Sequence, residues 1–201
     1  MPEHQPAPST STGPGPRILP LPPEEIGPDA MATIAGVLNA QSLPQVSDVP
    51  EFIATMVRHR ELFQRQADMS AMLFAGALPF RLTELVLLRS AWLCRGAFVW
   101  GHHSQLARQA CGFSEADIAR IIAGSAAEDW APLDRAVVRA VEELHDSATI
   151  SDETWAVLAA HLDERQLIEL PILAGHMKGV IYAQNALRVR LMPGSLGLDA
   201  R

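Results

Sequence analysis

Apolar residues recur at helical spacing along most of this chain, and nowhere do apolar and polar residues alternate over six or more positions. The first pattern is that of helices and the second that of strands, so the expectation is an all-α fold without a sheet. The densest stretch runs from Arg81 to Gly112. Leu82, Leu85, Leu88 and Trp92 form one apolar stripe there, and Glu84 lies beside it. A carboxylate in such a setting must find a partner, hold a proton or pay a heavy desolvation penalty. Arg95-Gly96 interrupts the pattern, because glycine weakens a helix interior by roughly 1 kcal/mol against alanine. A second helix is predicted from Ala97 to Ala110, stopping at Cys111-Gly112.

The flanking segments are helical too. Ala30–Ala40 and Val49–Val57 read as short helices, and Arg58–Gly76 as an amphipathic one with Leu62, Phe63, Met69, Met72 and Leu73 on its inner face. Its methionines are read as core filling. Ser114 and Asp117 suit a capping box that opens Glu115–Ala123. Pro132 suits the first turn of a helix reaching Ser147. Ser151 caps another through His161, and Asp163 opens a last one to about Arg190. Residues 81–88 and 166–173 (RLTELVLL and QLIELPIL) align with Glu84 opposite Glu169, which raises the possibility of two related helical units.

The N-terminus breaks the pattern, holding most of the chain's 15 prolines. Proline removes backbone donors and fixes φ, so residues 1–16 are expected to be a disordered tail. Residues 17–29 contain Ile18, Leu19, Leu21 and Ile26 and are expected to lie as an extended arm on the core, in preference to serving as a proline-rich ligand. The all-α domain is placed at 30–195, with a C-terminal tail at 196–201.

Composition narrows the function. Net charge is −7, with no cluster of Lys or Arg that would neutralise a run of phosphates, so nucleic acid is not an expected partner. No signal peptide or long apolar span is legible, which suggests a cytoplasmic protein without membrane partners. Hydrophobic residues make up 48% of the chain, more than a monomer readily hides, and a homo-oligomer is expected. The two cysteines, Cys94 and Cys111, form neither a disulfide scaffold nor a CxxC pair.

Glu84 and His103 are the candidate catalytic residues. If their helices fold back on each other the pair can relay a proton, or, on the plainer reading, fix helix packing as a buried ion pair. Adjacent His102 diverges from His103 by about 100° on a helix. A metal would need a third ligand such as His145 or His176, and no HxxxH or HExxH pair supports one, so neither metal nor cofactor is expected. Trp100, three positions before His103, is a candidate pocket wall. Cys94 reads as an inert buried thiol and His145 as a surface residue at a helix end. His176 and Asn185 are candidates for a polar lining.

Three runs, Arg81-Leu-Thr-Glu84-Leu-Val-Leu-Leu-Arg89, Phe98-Val-Trp100-Gly-His102-His103 and Ala107-Arg108 with Gly112, together resemble the carboxymuconolactone decarboxylase / AhpD-like superfamily. A longer similarity continues through Trp130, Arg135, Glu142-Glu-Leu-His145-Asp146, Trp155 and Gln166-Leu-Ile-Glu169, covering roughly residues 17–190. The resemblance implies an all-α, often duplicated fold that assembles as a trimer or hexamer, with a dimer as the smaller alternative. In AhpD peroxidases a Glu precedes a CxxC pair and a His follows it. Glu84 and His103 match those positions, whereas the cysteine positions hold Gly96 and Val99. A thiol peroxidase cannot run without its thiols. The expectation is a cofactor-independent lyase or isomerase using a Glu/His proton relay on a small lactone or carboxylic acid. Arg81 or Arg89 would hold the substrate carboxylate, and Trp100, His102 and His176 would complete the substrate site. The alternatives are a non-catalytic oligomeric binding protein and an AhpD-like thiol peroxidase.

Overall fold

The computed structural model describes residues 15–40 and 49–200. Among them are nine α-helices and no strand: α1 (Pro28–Ala40), α2 (Glu51–Met56), α3 (Arg60–Phe74), α4 (Phe80–Leu93), α5 (Ala97–Cys111), α6 (Glu115–Ala123), α7 (Pro132–Ser147), α8 (Asp152–Ala159) and α9 (Glu164–Leu187). The all-α expectation holds. Residues 1–14, most of the expected disordered tail, lie outside the described part.

Helix α4 is the axis of the molecule. Every residue from Leu82 to Ala91 is buried, because α5, α7 and α9 pack around it and α6 touches its side. A helix apolar on nearly every side belongs in a core. Leu85, Val86, Leu87 and Leu88 are wholly buried, each contributing on the order of 1.5–3 kcal/mol by transfer out of water.

The helix ends follow local chemistry. Ser114 and Asp117 form the expected capping box at α6, and Asp163 and Gln166 form another at α9. Gly112 ends α5 in the left-handed conformation, φ 68°. Between α4 and α5 the left-handed residue is Arg95, φ 55°, and not the glycine. Gly96 is needed for a different reason: a Cβ there would stand 2.8 Å from Ile181 Cγ2 of α9. Helices α8 and α9 stop short of the expected His161 and Arg190, α9 because Arg188 turns left-handed.

A second apolar cluster stands apart from the core around α4. Ile26, Ala30, Ile34, Phe52, Ile53, Ala54, Met56, Val57 and Phe63 form it, with Phe98 and Val180 packed against it. The arm reaches this layer: Arg17 N–H donates to the Leu187 carbonyl at 2.9 Å, and Leu21 N–H to the Ala54 carbonyl at 3.1 Å. The end of the chain is also seated. Gly197–Asp199 form a 3-10 turn on α5, and the Ala200 carbonyl accepts from Trp100 Nε1 at 2.9 Å, so most of the expected tail is packed.

Two expectations need correction. The inner face of α3 is Phe63, Ser70 and Leu73, whereas Leu62, Met69 and Met72 are exposed. Met69 and Met72 therefore do not fill the core. In the aligned repeat the two glutamates do different work. Glu84 is buried beside α5, whereas the Glu169 carboxylate accepts the Ala77 and Leu78 N–H groups at 2.7 and 3.1 Å and so clamps the α3–α4 connection. No helix equivalent to α5 follows α9 among the described residues. Glu169→Ala should lower stability by about 2 kcal/mol, the worth of hydrogen bonds to a charged acceptor, as read by urea denaturation.

Candidate active site

Glu84 sits one turn into α4 and is fully buried; His103 lies midway along α5 and is 5% exposed. The short turn at Arg95-Gly96 folds α5 back on α4, and His103 Nδ1 comes to rest 3.1 Å from both Glu84 carboxylate oxygens. With Glu84 ionised, Nδ1–H donates and Nε2 is left for a ligand. The ring is also held by stacking on Phe74 (centroids 5.8 Å apart, planes 9° apart) and by the edge of His102 at 4.9 Å.

His103 lines a cleft of about 60 Å³ at the seam between the two apolar clusters. Phe52, Phe63, Phe74 and Phe98 wall it, with Ile53, Val99, Met177 and Val180. Its polar lining is Gln66, Ser70, His102, His103 and Gln184. The side-chain oxygen of buried Gln184 has no hydrogen-bond partner among the described residues.

His176 stands behind this lining, with Nε2 2.8 Å from Ser70 Oγ. It reaches the cleft through Ser70. Burial holds its imidazole below the ordinary range. A histidine that is harder to protonate when folded binds fewer protons folded than unfolded, so stability falls as pH drops through the unfolded value of about 6.5 towards the lower folded one. His176→Gln should flatten the melting temperature over that window while leaving the carboxylate-driven fall at lower pH.

Three expected ligand-binding residues are engaged elsewhere. Arg81 pairs with Asp134 of α7 at 2.6 Å and lies over the Phe113 ring. Arg89 pairs with Glu142 at 2.7 Å and donates to the Ile121 and Ile122 carbonyls at 2.8 and 2.9 Å, closing the C-terminal end of α6. Helix ends of that polarity favour a cation. Trp100 is wholly buried against Trp92, 5.0 Å between centroids, under the C-terminal residues. The phenylalanines, Gln66, Ser70 and Gln184 escaped sequence reasoning. Phenylalanine is scarce, six in the chain, and four of the six wall this cleft, which was the one available signal. No group of three or more His, Cys, Asp or Glu residues is placed to hold a metal among the described residues.

Residues 60–143 match the Carboxymuconolactone decarboxylase family. That match spans less than half of the chain. A search of curated proteins gives no match. Among solved structures, the apo debrominase Bmp8 is similar with a TM-score of 0.71 at 14% identity, over 88% of this chain and 92% of that one. A cysteine-to-alanine variant of Bmp8 in complex with 2,3,4-tribromopyrrole gives 0.72 at 15%, over 89% and 93%. The Agrobacterium tumefaciens protein ATU0492, of unknown function and provisionally named an antioxidant defence protein AhpD, gives 0.61 at 18%, over 68% and 94%. At these identities the likeness is one of fold.

Proposed function

We propose that this chain is a cofactor-independent lyase or isomerase that moves a proton through Glu84 and His103 on a small lactone or carboxylic acid. The observation that carries this reading is the position of the pair: the carboxylate is sealed inside α4, while the imidazole it holds lines an aromatic cleft. A pair that served packing alone would have no need of that cleft. As an imidazolium, His103 donates Nδ1–H to Glu84 and offers Nε2–H to the ligand. In a decarboxylation the C–C bond to the carboxylate breaks, CO2 leaves, and the electron pair remains on carbon as an extended enolate. Protonation of that carbon by Nε2–H completes the step and leaves neutral His103.

The cleft lining contains no guanidinium or ammonium, so a ligand carboxylate would be met by His102, Ser70 and the side-chain amides of Gln66 and Gln184. Arg81 and Arg89 serve helix packing in this reading. The peroxidase alternative loses further ground at Gly96, where Ile181 occupies the space a cysteine side chain would need.

Turnover of 4-carboxymuconolactone, followed by ultraviolet absorbance, tests the proposal. Glu84→Gln and His103→Ala should each lose on the order of 100-fold or more in rate while keeping the parent's helical circular dichroism. Full activity in either folded variant would overturn the relay. No turnover by the parent would favour a binding role, and 2,3,4-tribromopyrrole is then the first ligand for a thermal-shift assay, since a similar fold holds it and four phenyl rings suit a flat apolar ring.

The outer face of α9 supports homo-oligomeric assembly. Ile168, Ile172 and Tyr182 are exposed there, and Gly179 between Ile172 and Tyr182 faces open space. Light scattering should find a multimer in the parent and smaller species in Ile168→Glu, Ile172→Glu; a monomeric parent would refute this.

A further inference from the structure

A second cavity, of about 290 Å³, lies between α4, α7 and α9, and the Glu84–His103 pair takes no part in it. Its lining includes Ser90, Cys94, His145, Pro171 and Lys178. Cys94 Sγ lies 3.7 Å from His145 Nδ1. The Lys178 ammonium donates to the His145 carbonyl at 3.2 Å and has no carboxylate within ion-pair distance among the described residues. Asn185 Nδ2 donates to the Cys94 carbonyl at 2.9 Å and fixes the end of α4 that carries the thiol. A thiol, a nitrogen base in contact with it and an unneutralised cation thus share one cavity.

We propose that this cavity is a covalent capture site for small α,β-unsaturated carboxylates, with Cys94 as nucleophile, His145 as its base and Lys178 as the anchor of the carboxylate. The arrangement explains why each group is there. Burial pushes the Cys94 thiol up, while Lys178 pulls it the other way, so a resident thiol needs a base at the moment of attack. His145, with its proton on Nε2, takes the thiol proton at Nδ1. The S–C bond forms at the β-carbon as the C=C π bond breaks, its electron pair passing to an enolate. The imidazolium then returns the proton to the α-carbon. The product is a thioether; nothing is oxidised or reduced and no co-reactant is required. The volume has room for a small acid.

Cys111 provides an internal reference. Its thiol is also pushed up by burial, with Glu84 adding to the effect and Arg81 opposing it. The experiment compares monomethyl fumarate, which carries a carboxylate, with neutral dimethyl fumarate, and reads adduct formation at Cys94 and Cys111 by peptide mass spectrometry on the full chain. The ratio of the monomethyl to the dimethyl rate should be about tenfold higher at Cys94 than at Cys111, the worth of one charge-assisted hydrogen bond. Lys178→Met should bring the Cys94 ratio down to that of Cys111. His145→Gln should slow Cys94 with both reagents by on the order of 100-fold, with Cys111 unchanged as evidence of an intact fold. A Cys94 that reacts only after unfolding, or whose rates ignore both substitutions in a folded protein, would overturn the proposal. Because the proposed turnover of 4-carboxymuconolactone is assigned to Glu84 and His103, which take no part in this cavity, failure of either proposal leaves the other standing.

Discussion

The buried carboxylate of Glu84 sets the terms for the rest of the structure. It lies in a helix whose residues from Leu82 to Ala91 are all buried, so no rotamer can carry it to water. An unpaired charge there would cost several kcal/mol, and the partner has to come from a neighbouring helix. His103 supplies it, which requires α5 to return along α4 immediately after Leu93. Arg95 in a left-handed conformation and Gly96 against Ile181 make that return possible. The packing of α5 on α4 and the imidazole that lines the cleft therefore rest on the same two side chains.

Helix α4 carries a second buried charge, and geometry gives it the opposite task. Arg89 follows Glu84 by five residues, which at about 100° per residue points it well away from α5. It meets Glu142 and the last carbonyls of α6 and so ties three helices together. Gly124 is part of this joint: a Cβ there would strike both Arg89 and Glu142, and its φ of 92° suits glycine. One charge on the helix holds a histidine that lines a cleft and the other is consumed by packing, although the sequence displays them alike.

Helix α9 shapes both cavities. Met177, Val180 and Gln184 close one side of the aromatic cleft, while Pro171, Ala174, Gly175 and Lys178 close the second cavity. Its Ile181 is pressed on Gly96 and leaves no room for a side chain there. The one cysteine near that turn, Cys94, faces α7 and His145 instead.

The sequence by itself determined the helices and their order, because capping residues, proline positions and apolar periodicity are local signals. Ser114 with Asp117, Pro132, Asp163 and Gly112 mark ends that stand within a residue or two of where they were expected. It also singled out Glu84 with His103, since an acid in an apolar stripe demands a partner. Only the tertiary structure decided which polar residues share a space. Trp100 and His103 are three positions apart on one helix, yet one is covered by the chain's end and the other lines the cleft. Phe52, Phe63, Phe74 and Phe98 meet because an N-terminal layer docks on the central bundle, and Cys94 meets His145 because α7 runs alongside α4 from Arg81 and Asp134 to their C-terminal ends. Such encounters between residues distant in sequence depend on how helices are stacked, and helical periodicity fixes a residue's face without naming what that face will meet.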